Sequence, residues 1–146
     1  MEMKRLVTGT VVGGITLFVL GYLIFDLAFA GFYAANAGSA AGVARDAQLV
    51  WAVALGSLSY AALITLAIES RASSATVGTG VQMGAVVGFL LWFTADFILY
   101  GITNIANLTR TVVDPLLELV RGGLTGGVTA VVLAKISESA RRAIRT

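Results

Sequence analysis

"LVTGTVVGGITLFVLGYLIFDLAFAG", from Leu6 to Gly31, carries one charged side chain, Asp26, in twenty-six residues. As a helix rising 1.5 Å per residue it reaches about 39 Å, more than the roughly 30 Å of a hydrocarbon core. Two further runs are free of charge: "AQLVWAVALGSLSYAALITLAI" from Ala47 to Ile68, and "ASSATVGTGVQMGAVVGFLLWFTA" from Ala72 to Ala95. A fourth, Val112 to Ala134, includes Glu118 and Arg121 but continues as "GGLTGGVTAVVLA" and is too apolar for a solvated helix. None alternates in the roughly 10-residue in/out segments of a membrane barrel. The expectation is an all-α bundle of four transmembrane helices in one domain, 1–146, with spans near 6–33, 47–68, 76–102 and 112–134.

Composition agrees. The 146 residues are 58% hydrophobic and 12% charged, against about 25% charged in soluble domains, so the solvent expected for most of the surface is lipid. The sequence has no Cys and no His. That removes disulfides, thiolate metal sites, the commonest metal ligand and the usual general base. No catalytic residue, metal site or cofactor is expected, and Ser57, Ser59 and Thr65 lack a nearby base that would make a nucleophile.

The charges are informative by position. Lys4 and Arg5 precede the first span, Arg71 lies between the second and third, and Lys135, Arg141, Arg142 and Arg145 follow the fourth. The connections Ala34 to Asp46 and Thr103 to Thr111 hold only two basic residues, Arg45 and Arg110. By the positive-inside rule both termini are cytoplasmic. The basic tail, 135–146, reads as a topology signal and an amphipathic helix on the cytoplasmic surface, beside anionic lipid rather than nucleic acid. The opening "MKR", an apolar run and "AFA" imitate a signal peptide. The run exceeds the usual 7 to 15 residues and ends in Asp26, so a retained first span is expected.

Seventy residues separate "DLAFAG" (Asp26–Gly31) from "DFILYG" (Asp96–Gly101), and the same shift pairs Gly14 with Gly84, Gly56 with Gly126 and Arg71 with Arg141. This register predicts two tandem two-helix hairpins, near 1–70 and 71–140, in parallel repeat, with Asp26 and Asp96 at one depth. "VDPLLEL" suggests Asp114 as an N-cap and Pro115 at the first helical position of the fourth span.

Small residues recur at a spacing of four: Gly9 with Gly13; Gly80 with Gly84 and Gly88; Gly122 with Gly126; and Gly123 with Gly127. Such faces let membrane helices approach closely, in the same chain or another. A phosphate cradle at "GGLTGG" is disfavoured because the P-loop lysine is missing.

The ionisable residues inside the spans form the second constellation. Glu118 and Arg121 are three apart on one helix face and can pair. Their depth matches that inferred for Asp26 and Asp96, so one arginine is expected to face three carboxylates. Tyr100 and Asn104 follow Asp96 at successive helical turns. Charges in hydrocarbon cost about 2.5 to 3.5 kcal/mol each on insertion scales and turn inward to pair. The surplus acid either holds a proton or admits water or a cation.

"DFILYGITNIANLTRTVVDP" with "GTVVGGITLFVLGYLIF" resembles small bacterial four-span membrane proteins of unknown function. The resemblance implies a bacterial cytoplasmic (inner) membrane location and transfers no activity. Two functional expectations follow from the residues. One is a structural or accessory subunit packing through Gly-rich faces into a homo-oligomer or larger complex, with lipid and other membrane helices as partners. The other is a small transporter or channel for protons, cations or a small cationic solute, using Asp26, Asp96, Tyr100, Asn104, Glu118 and Arg121.

Overall fold

The computed structural model describes residues 2–71 and 76–145, with side chains at 140, 141 and 143–145 left aside. It is all-helical, with no strand among the described residues. The elements are α1 (Met3–Gly21), a π-helical segment (Tyr22–Ala28), α2 (Ala30–Ala35), α3 (Val50–Glu69), α4 (Val77–Ile102) and α5 (Leu108–Arg145). Four helical stretches are long and apolar enough to cross a membrane: Met3–Ala28, Val50–Glu69, Val77–Ile102 and Leu108–Ser139.

The first span is not one regular helix. From Tyr22 the backbone widens, and the Phe29 amide donates to the Ile24 carbonyl five residues back, at 2.8 Å. Phe29 leaves helical geometry (φ −111°, ψ 10°) before α2 resumes at Ala30. The sequence gives no proline here, which is why a continuous helix was the expectation.

The last helix also departs from expectation. It begins at Leu108, seven residues before Pro115, which therefore lies inside it. The true cap is Asn107: its side chain accepts from the Arg110 amide at 2.9 Å, and its carbonyl accepts from the Thr111 amide at 3.1 Å. An Asn at this position satisfies amides that the first turn leaves without partners, so it outcompetes the Asp-Pro signal downstream. Asp114 is thereby free for a different role. At the other end α5 runs unbroken past Lys135 to Arg145, so the basic tail continues this helix. α4 starts conventionally, with the Thr76 hydroxyl accepting from the Thr79 amide at 3.1 Å.

Packing is pairwise, α1 on α3 and α4 on α5, with α5 also against α1. In the α4–α5 pair, a Cβ at Gly80 or Gly84 would overlap the backbone carbonyl of Gly126 or Gly122, and the reverse holds as well. Gly88 faces the Tyr60 hydroxyl and the Glu118 carbonyl. Gly9 and Gly13 admit Thr65, Ala61, Thr125 and Thr129 against α1. The small-residue faces thus close on helices of the same chain. Gly123 and Gly127 are looser, over Ala85 and Val81.

The apolar core is small: Leu17, Tyr60, Ala61, Ile64, Ile68, Met83 and Leu133. Large apolar side chains such as Ile15, Leu55, Leu90 and Phe93 point outward, as suits a surface solvated by lipid. α5 is the central element and far more buried than α4. At one end of the bundle the connections 36–49 and 103–107 are joined: Gly38 N donates to Ile105 O (2.9 Å) and Ala40 N to Asn104 O (3.0 Å). This is the loop end; both termini lie at the other.

Candidate functional site

Along α5 the residues Thr111, Asp114, Glu118, Arg121, Thr125 and Thr129 are spaced by three or four, so they share one helix face. All six are buried, between 0% and 8% exposed. This face points into the bundle because charge in hydrocarbon is costly and a hydroxyl needs a partner. The interior of a lipid-solvated bundle is therefore polar along its central helix.

At its middle Arg121 Nη1 donates to Glu118 Oε1 at 2.7 Å, with 9% and 1% of the two side chains exposed. Nε and Nη2 both donate to the backbone carbonyl of Leu17, at 3.1 and 2.7 Å. The rings of Phe25 and Tyr60 lie 5.4 and 6.0 Å from the guanidinium carbon. Glu118 Oε2 and the Tyr60 hydroxyl remain buried without a hydrogen bond among the described residues, as do Thr129 Oγ1 and Asp96 Oδ2.

One turn toward the loop end, Asp114 accepts a hydrogen bond from the Tyr33 hydroxyl. Asp96 on α4 lies beside it. Asp96, Tyr100, Arg110 and Thr111 line a small pocket of about 60 Å³, and Arg110 also lies over the Tyr33 ring, 4.8 Å from its centre. At the terminal end Arg5 pairs with Glu69 (2.6 Å) and donates to the Leu133 carbonyl (3.0 Å) and the Ser137 hydroxyl.

A larger cleft of about 780 Å³ opens beside Arg121, between the first span and α3. Phe18 and Gly21 of α1, Tyr22, Phe25 and Asp26 of the π-helical segment, Gln48, Gly56 and Tyr60 around α3, and Trp92 of α4 line it. Asp26 is exposed there and accepts from Gln48 Nε2 at 3.0 Å.

The residues of the expected cluster are placed as follows, with Asp26 and Arg121 both on the lining of the cleft. Glu118 and Arg121 are brought together; Asp96 and Tyr100 share the small pocket; Asp26 stands in the cleft. Asn104 lies beyond the end of α4 at Ile102, and it is its carbonyl that ties the two loops. Sequence reasoning passed over Gln48, and Asp114 binds Tyr33 where an N-cap was expected. The i, i+3, i+4 run of polar residues from Thr111 to Thr129 was the signal that would have found Asp114. Gln48 could have been found too, since it lies seventy residues before Glu118.

No protein-family model, curated protein or solved structure matches the chain.

Proposed function

We propose that this polytopic membrane protein moves protons, a small cation or a small cationic solute between the two sides of its membrane. The observation that carries this reading is the buried polar face of α5. From Thr111 to Thr129 it extends for about 27 Å at 1.5 Å per residue, close to the thickness of a hydrocarbon core. A bundle that needed only stability would gain more from an apolar interior, since buried ion pairs are frequently no better than well-packed hydrophobic residues.

In this reading the Asp96–Asp114 pair exchanges protons at the loop end, and Glu118 receives them next, one turn along α5. Protonation of Glu118 removes the negative partner of Arg121, which stays held by the Leu17 carbonyl. Arg121 then acts as an electrostatic switch, and Thr125 and Thr129 continue the path toward Arg5 and Glu69. The excess of Lys and Arg at the terminal end supports cytoplasmic termini by the positive-inside rule. The tandem hairpin repeat belongs to the same reading: Asp26 accepts from Gln48, and the residue seventy positions after Gln48 is Glu118. By resemblance the membrane is the bacterial cytoplasmic one.

The alternative, an accessory subunit docking through glycine faces, has less support. Gly80, Gly84, Gly88, Gly122 and Gly126 are covered by helices of this same chain.

The test is flux. Proteoliposomes holding a pH-sensitive dye, driven by a potassium diffusion potential, are expected to change internal pH faster than protein-free liposomes. Glu118→Gln and Asp96→Asn are expected to remove that difference while detergent-solubilised protein keeps its helical circular dichroism and elution volume. Wild-type flux equal to that of empty liposomes would overturn the proton reading.

A further inference from the structure

We propose that the cleft between the first span and α3 binds a lipophilic monovalent organic cation, with the Asp26 carboxylate as its anchor and the rings of Phe18, Tyr22 and Trp92 as its walls. The inference extends the transport reading by naming a class of solute. Binding is measured at equilibrium, so it can fail while flux stands, and the reverse.

Size comes first. About 780 Å³ lies within the range of roughly 300 to 1,000 Å³ typical of small-molecule sites. The local backbone supplies the second argument. The π-helical turns are confined to Tyr22–Ala28, and three of those seven residues, Tyr22, Phe25 and Asp26, line the cleft. π-helical segments are uncommon and occur frequently at functional sites. Here the wider turn places one carboxylate and two rings on the cleft side.

The charges decide the occupant. Arg121 also lines the cleft, but Glu118 matches its charge, the Leu17 carbonyl engages two of its nitrogens, and the Phe25 and Tyr60 rings cover it. Asp26 has only the neutral Gln48 amide as hydrogen-bond partner and no ion pair among the described residues. The cleft therefore presents one uncompensated negative charge among aromatic faces. That combination recognises a cation through its charge and through the ring quadrupoles. A lipid acyl chain in the same place would leave the carboxylate against hydrocarbon, a costly arrangement.

Gly56 offers a block that spares the fold. It lines the cleft, and a Cβ there would meet nothing within 4 Å. A larger side chain is admitted at its Cβ here and is expected to extend into the cleft.

The experiment uses full-length protein in detergent micelles and equilibrium dialysis against tetraphenylphosphonium, with protein-free micelles subtracted. Tetraphenylborate, of the same shape and opposite charge, is the control. The expected result is saturable binding of one tetraphenylphosphonium per chain and none of tetraphenylborate. Asp26→Asn is expected to weaken affinity by about tenfold or more, equivalent to losing one favourable charge contact. Asp26→Glu should retain it, and Gly56→Leu should abolish it at unchanged thermal stability. Equal or tighter binding of tetraphenylborate, no saturable cation binding, or an Asp26→Asn variant with wild-type affinity would each overturn the proposal.

Discussion

Arg121 holds the backbone of Leu17. Two of its guanidinium nitrogens donate to that one carbonyl, at 3.1 and 2.7 Å, while the third donates to Glu118. What resembles an i, i+3 ion pair on one helix is also a clamp from α5 to α1, just before the first span changes to π-helical geometry. Gly21 makes the clamp possible, because a Cβ there would come within 2.7 Å of Arg121 Nη2.

Removing the arginine should therefore cost more than an ordinary salt bridge. Arg121→Ala leaves Glu118 ionisable and unpaired in the interior, a loss of about 3 to 5 kcal/mol. Arg121→Met combined with Glu118→Leu removes both charges and is expected to recover most of it. Chemical denaturation in mixed micelles measures both; a double variant no better than Arg121→Ala would mean the Leu17 contact dominates.

The glycines divide into two classes that the sequence does not distinguish. At Gly84 a Cβ meets the Gly122 carbonyl, which is backbone and cannot rotate away, whereas at Gly123 the nearest atom is the Ala85 Cβ at an ordinary 3.5 Å. Gly84→Ala is expected to separate α4 from α5 and lower stability by about 1 to 3 kcal/mol, the cost of overpacking a tight contact. Gly123→Ala should be neutral or slightly stabilising, since Ala is the better helix former by roughly 1 kcal/mol. Thermal unfolding of both proteins in one detergent checks the contrast.

The membrane-spanning class and the four candidate spans were legible because they follow from hydropathy over stretches of about twenty residues, where single side chains average out. The fate of individual polar residues was not. Asp26 and Asp96 occupy equal positions in the two "D…G" frames, yet one faces an open cleft and the other adjoins Asp114. Their difference is made by α5, which supplies Asp114 to the second and nothing equivalent to the first. The glycine spacing announced close packing correctly, but which helix would fill each face depends on tertiary arrangement.

The start of α5 gives a local test of the capping argument. Asn107 binds the Arg110 amide and also donates to Asn36 Oδ1 at 3.0 Å. Asn107→Ala should cost about 1 kcal/mol for the lost cap and raise hydrogen exchange in the turn 108–111. Asp114→Asn should leave that turn protected, because its partner is Tyr33 rather than the helix amides. Increased exchange at 108–111 in Asp114→Asn alone would restore the Asp-Pro start.

Orientation decides which way the α5 path runs, and the chain is suited to measuring it because it contains no Cys. Val43→Cys places a single thiol on the exposed connection at the loop end, and Glu2→Cys places one at the exposed amino-terminal end. A membrane-impermeant maleimide added to intact cells is expected to label Val43→Cys, and Glu2→Cys only after permeabilisation. Basic residues are retained on the cytoplasmic side, and Lys4, Arg5, Arg71 and Lys135 outnumber Arg45 and Arg110. The opposite pattern would put the Asp96–Asp114 pair at the cytoplasmic mouth and reverse the proposed direction of proton entry. Labelling of both thiols in intact cells would argue against four crossings altogether.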